Sequence, residues 1–447
     1  MKKKLFFAFA VLLLIACNEK KGTDINTKSD TLSNISLPCV ETFPKAPTVN
    51  VYIEGSGSID AYTKGITDFK DVLGNLLVKL KFYYDEEKLH VFWIYNDRKE
   101  KLQITEAAID ANLIDFANNI NIDLKKLNRG NNTDLNNIFR EIVQRRTDTN
   151  TISILFSDCI YSIGKGGVID MVNNGKNLTM DAFLSSSKEK PFKLSSTIFR
   201  MKSEFDGWYY PYTSDGDKYE YSKERPYYIC VFANQDILDD FNKKIKIELE
   251  KSKGYEDKYV LSSENSNNIY YSVLQSSFTE GRFKPLRSVS SNNYIRGIEK
   301  VELPRGIQQL ILAVAVDFGK IQMLADSSYI ANPKNYEVTT ANFDVEKILP
   351  IIKNEINPID WNTISNDNPT HIIILKAKSR AVSEVSFVLK KQIPQWITEK
   401  NIEDDTKKEI LSDKTFGLKY WVEGIAEAYK TIYPNDRNYF ECTIPIK

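Results

Sequence analysis

Over the first half of the chain, short apolar runs alternate with apolar stripes of helical period. Val49-Asn50-Val51-Tyr52-Ile53 reads as a buried strand and breaks directly into Glu54-Gly55-Ser56-Gly57-Ser58. Tyr62, Ile66, Phe69, Leu73, Leu76 and Leu80 then share one helical face, with Gly74 as a tolerated cost. Residues 89–95 are almost continuously apolar, the mark of a strand covered on both faces. A helix is expected from Thr105 to about Ala117, then a polar loop to Asn132. Leu135, Ile138, Phe139, Ile142 and Val143 line a second helix that opens at Thr133-Asp134 and carries Arg145-Arg146 near its C-terminal end. Strands follow at 152–156, ending in Ser157-Asp158, at 197–200 and at 227–233. A helix on Ile237, Phe241, Ile245 and Leu249 comes after them. Strand and helix in alternation predict an α/β domain with a mostly parallel sheet over 48–254.

From residue 255 the pattern changes. Short runs at 258–261, 269–273, 298–303, 310–316, 372–375 and 385–389 are separated by Ser, Asn, Pro and Gly. They predict a β-rich, sandwich-like C-terminal region over 255–447, of one domain or two. One helix interrupts it, with Leu418, Trp421, Val422, Ile425 and Tyr429 on a face, and residues 439–444 read as a closing strand.

The N-terminus is of another kind. Residues 1–4 are positive and 5–16 are apolar, too short a stretch to span a bilayer. Leu14-Ile15-Ala16-Cys17 resembles the lipobox of bacterial lipoproteins, which implies a signal peptide over 1–16, cleavage before Cys17 and acylation there. The polar stretch 17–47 reads as a flexible tether. The expected address is the cell envelope, lipid-anchored through Cys17.

The chain has 447 residues, with 60 basic and 60 acidic side chains. Without the three leader lysines the balance is 57 to 60, a charge of −3 that offers nothing to nucleic acid. Cys39, Cys159, Cys230 and Cys442 show no metal-ligand spacing. Cys159 and Cys230 lie in or beside apolar runs, as buried free thiols do. An envelope address leaves a Cys39–Cys442 disulfide open.

The candidate chemistry gathers at strand ends, where open α/β sheets collect ligands. Glu54, Ser56 and Ser58 offer oxygen only, the donor type that hard cations select. Glu54-x-Ser56-x-Ser58 after a strand, Thr133-Asp134-Leu135 opening a helix and Ser157-Asp158 closing a strand occur in that order. Together they resemble a von Willebrand factor type A (vWA) domain and its metal-ion-dependent adhesion site, over about residues 48–250. The resemblance implies a Rossmann-like fold and a cation, Mg²⁺ or else Mn²⁺ or Ca²⁺, held by Glu54, Ser56, Ser58, Thr133 and Asp158. It also implies an open coordination position for an acidic side chain of a protein partner. Two positions depart from the family: Glu54 stands in place of aspartate, and Cys159 where glycine is frequent. Each residue also has a purely structural role open to it: Thr133 as a helix N-cap, Asp158 in a turn, Ser-Gly-Ser as a loop.

Trp208, Tyr209, Tyr210 and Tyr212 form the densest aromatic cluster. They are candidates for a stacking surface toward sugar or protein, or else they pin an insertion to its domain. Enzymatic motifs fail on particulars. Asp60 stands at the third glycine position of a dinucleotide fingerprint, and Glu54 blocks a nucleophile elbow at Ser56. Residues 164–167 are no Walker A loop, and His90 and His371 both fall in strand-like runs. The sequence therefore reads as a non-catalytic, lipid-anchored binding protein with a protein partner. A carbohydrate-binding lipoprotein and a metal-free assembly factor are the alternatives.

Overall fold

The computed structural model describes residues 46–109, 112–130, 134–160, 168–189, 193–211, 218–262, 269–340, 342–380 and 383–447. The leader, Cys17, Cys39, Thr133 and Tyr212 lie outside the described residues.

The first strand, β1 (Thr48–Glu54), runs parallel to β2 (Leu89–Asn96) on one side and to β4 (Thr151–Ser157) on the other. Around this centre lie β3 (Leu102–Glu106), β5 (Leu194–Tyr209), β6 (Tyr219–Asn234) and β7 (Tyr255–Leu261). The seven strands form one sheet in the order β3-β2-β1-β4-β6-β5-β7. Only two of its six neighbouring pairs are parallel, so the mostly parallel sheet expected from the alternation is corrected to a mixed one. The reason is local. Five residues separate β2 from β3 and nine separate β5 from β6, too few for the crossover a parallel pair needs, so both pairs run antiparallel.

Two helix expectations also shift. The stripe from Tyr62 to Leu80 is broken: α1 (Ile59–Tyr62) stops, Thr67 caps α2 (Asp68–Tyr83), and Ile66 between them is fully exposed. The helix expected from Thr105 begins later. β3 ends at Glu106, and α3 (Leu113–Lys126) keeps only the end of the expected helix and runs on into the stretch read as a polar loop. Asn112 caps α3 by accepting from the Ile114 and Asp115 N–H groups, and Phe116, Ala117, Ile120 and Leu124 form its buried face. The spacing is helical, but Asn and Asp between those positions mask it.

Helix α4 (Leu135–Arg140) continues as a π-turn over Glu141–Arg146, and α5 (Val168–Glu189) packs beside it. The C-terminal helix Leu418–Ile432 returns to this layer and crosses α5. Trp421 is fully buried, 5.7 Å from both the Phe139 and Tyr228 rings. The boundary drawn at 254/255 thus falls just before β7, which pairs with β5 and keeps the sheet continuous across it. Parts of 395–432 share the core of the first sheet. The rest of the second half consists of antiparallel sheets. Strands Phe343–Pro350, His371–Ala377, Ile311–Val316 and Tyr271–Leu274 form one, and Tyr336–Val338, Glu384–Lys390 and Asn438–Pro445 another. Both contribute to one core, in which the Phe440 ring meets Phe318 at 5.4 Å and Phe387 at 5.9 Å. Cys159, Cys230 and Cys442 are buried free thiols.

Candidate functional site

Parallel pairing of β1 with β2 and β4 aligns their carboxyl ends, and this brings Glu54 beside Ser157 and Asp158. Glu54 is buried and accepts a short hydrogen bond from the Ser157 hydroxyl. Ser157 Oγ in turn accepts from the Cys159 N–H at 2.8 Å. The Ser56 and Ser58 hydroxyls bond each other at 3.0 Å. Glycine is required at 55, where a Cβ would lie 2.9 Å from Tyr95 Cβ. Arg129 clamps the turn from outside: Nη1 donates to the Gly55 and Ser56 carbonyls at 3.3 and 3.0 Å, and Nη2 to Asp60 Oδ2 at 2.5 Å.

Asp158 is buried. Its Oδ1 accepts weakly from the Ile160 N–H at 3.4 Å, and its Oδ2 has no hydrogen-bond partner among the described residues. Burial pushes the carboxyl pKa up, against the opposing pull of the Ser58 hydroxyl and the Arg225 charge. Glu54, Ser56, Ser58 and Asp158 thus meet at one sheet edge. The N-cap of α4 is Asp134, which accepts from the Asn136 and Asn137 N–H groups; Thr133 before it lies outside the described residues.

These donors do not fit a divalent cation as they stand. Glu54 is engaged by Ser157, and Ser56 and Ser58 engage each other. Asp158 also has a cation already in its surroundings. Arg225 on β6 is fully buried, its guanidinium 4.2 Å from the Tyr209 ring centroid and 5.4 Å from that of Phe205. A divalent ion at that carboxylate would be repelled by the guanidinium charge.

Beside the turn lies a groove of about 520 Å³, reaching from Gly57 and Asp60 to Trp208 and Tyr210, with Asn121 and Lys125 of α3 on its wall. Strand alternation divides the aromatic cluster. Trp208 and Tyr210 are 42% and 39% exposed, whereas Tyr209 is fully buried and its hydroxyl donates to Asp405 Oδ2 at 2.5 Å. Lys218 Nζ sits 4.5 Å from the Trp208 ring centroid. Lys64 and Asp206 form an ion pair at 2.5 Å on the groove rim.

Arg129, Asp60 and Arg225 were not legible as site residues. Arg129 sits in a polar stretch with no periodic signal, and its partners are some 70 residues away in the chain. Both histidines lie on strands. His90 Nδ1 meets Glu106 Oε1 at 2.9 Å, and buried His371 meets Thr370 Oγ1 at 2.8 Å. Comparison with family models, with curated proteins and with solved structures finds no match to the chain.

Proposed function

We propose that this is a lipid-anchored binding protein of the bacterial cell envelope that recognises a protein partner at the groove beside the β1 turn, and that it is not an enzyme. The observation that carries this reading is the placement of half-exposed Trp208 and Tyr210 in a groove rimmed by the Lys64–Asp206 and Arg129–Asp60 ion pairs. Exposed aromatic anchors inside a charged rim are the arrangement that dominates protein interfaces. A vWA-like scaffold remains part of the proposal. Its support is the parallel β2-β1-β4 centre with Glu54, Ser56, Ser58 and Asp158 at the carboxyl edge. Attachment through Cys17 rests on the lipobox-like residues 14–17.

A second reading has its own observation. Asn121, Asp206, Glu220 and Ser222 line the same groove with hydrogen-bonding groups suited to a sugar. Lys218 over the Trp208 ring occupies stacking area that a glycan would need, which favours the protein partner.

Photocrosslinking on intact cells separates the two. A photoreactive residue at position 210 should trap a discrete protein, and Trp208→Ala should abolish the adduct. A probe at exposed Ile359, outside the groove, should trap nothing. Glycan-array binding that depends on Trp208, with no crosslinked protein, would establish the sugar reading instead. Cys17→Ser should release the chain from membranes; normal processing and membrane retention of that variant would refute the anchor.

A further inference from the structure

Arg225 is an anomaly until its neighbours are considered together. Its Nε, Nη1 and Nη2 all lack hydrogen-bond partners among the described residues, although the side chain is fully buried. An uncompensated guanidinium in that setting is strongly disfavoured, so an opposite charge must face it. Strand register supplies the candidate. β4 and β6 are antiparallel with Ser157 opposite Tyr228, so the next step places Asp158 opposite Tyr227. Residues two apart on a strand share a face, so Arg225 projects from the same face of β6 as Tyr227. The Asp158 Oδ2 atom is likewise buried and without a hydrogen-bond partner among the described residues.

Aromatic side chains make up most of the surroundings of Arg225. Tyr209 and Phe205 present ring faces to it. Tyr62, whose hydroxyl donates to the Pro226 carbonyl at 2.6 Å, and Tyr221 also act on it. Two buried carboxylates belong to this region: Asp405, which accepts from the hydroxyl of the Tyr209 ring that Arg225 lies over, and Asp158, whose charge and that of Arg225 act on each other.

We propose that Arg225 is the fixed internal cation of this site, neutralising Asp158 in place of a divalent ion, so that recognition at the neighbouring groove is independent of metal. The inference goes beyond the function proposed above, since it holds whatever the groove binds. It also accounts for the closed turn. With charge balance supplied from within the sheet, the Ser56 and Ser58 hydroxyls are left to bond each other.

The test uses the full mature chain with MgCl₂, MnCl₂ and CaCl₂ as probes, read by calorimetry and by thermal melting against an EDTA control. The wild type should show no heat of binding and no shift in melting temperature. An ion held at about 100 times its Kd would raise the melting temperature of a unit this size by roughly 3 °C. Such a rise in the wild type, lost in Asp158→Asn, overturns the proposal, and this arm needs no Arg225 variant to fold. Three variants test the pairing itself. Arg225→Met should lower the melting temperature, Arg225→Met/Asp158→Asn should recover part of the loss, and Arg225→Lys should fall less far because it keeps the charge. If the double variant melts no higher than Arg225→Met, or Arg225→Lys no higher than Arg225→Met, the charge pairing is refuted.

Discussion

Arg200 on β5 and Asp413 stand 213 residues apart, and the Arg200 guanidinium donates to both the main-chain oxygen and Oδ1 of Asp413, at 2.8 and 2.9 Å. The same side chain donates to Glu256 at 2.6 Å and Asp257 at 3.2 Å, while Lys400 bonds the other Asp413 oxygen at 2.5 Å. The sheet, its edge strand and the segment 400–417 are joined at one buried arginine. Arg200→Met should cost about 2–3 kcal/mol in denaturant unfolding. That lies toward the lower end for a broken charge pair, because the three carboxylates left behind reach water. Asp413→Asn should cost about 1 kcal/mol, since Arg200 keeps its partners on β7.

Trp208 and Tyr209 are neighbours with opposite expectations. Trp208→Ala should change stability by about 1 kcal/mol or less while removing partner capture, because the ring is 42% exposed. Tyr209→Phe should leave the groove surface intact and cost about 1–3 kcal/mol, because a buried Asp405 oxygen loses its hydroxyl donor. Urea titration of both variants, alongside the crosslinking assay, reads the two effects separately.

The C-terminal helix comes close to α5 at Gly424. A Cβ there would lie 2.5 Å from the Lys176 carbonyl oxygen and 2.9 Å from Thr179 Cβ. Backbone does not yield as a flexible side chain does, so Gly424→Ala should push the helices apart and cost about 1–3 kcal/mol. Proteolysis should then begin near residue 417 at protease concentrations that spare the wild type.

His371 supplies a pH dependence. Its ring is buried, and burial lowers its pKa below the ordinary value near 6.5. The unfolded chain therefore takes up a proton before the folded one does. Stability should fall as pH drops below about 6.5, until the folded-state pKa is passed. His371→Gln should flatten the unfolding free energy between pH 7 and about 5.5 relative to wild type. An equal slope in both proteins would remove His371 as the cause.

Local pattern was enough to reveal the strands at 48–54, 89–96 and 151–157, the buried thiols of Cys159 and Cys230, and the stripe on 418–432. Each announces itself through the period or continuity of its own apolar residues, and so did the oxygen-rich turn at Glu54–Ser58. Strand direction was not written locally, because a strand buried on both faces looks the same whichever way its neighbour runs. The sheet is mixed because β3, β5, β6 and β7 each join it antiparallel to their neighbours. The packing of the C-terminal helix was hidden for a related reason: an amphipathic helix specifies that it needs a partner and not which one, and Leu418–Ile432 found α5. The candidate site follows the same division. Glu54, Ser56, Ser58 and Asp158 could be named from spacing, but the roles of Arg129 and Arg225 exist only in three dimensions. Charge compensation depends on distance through space, and residues far apart in the chain carry no mark of it.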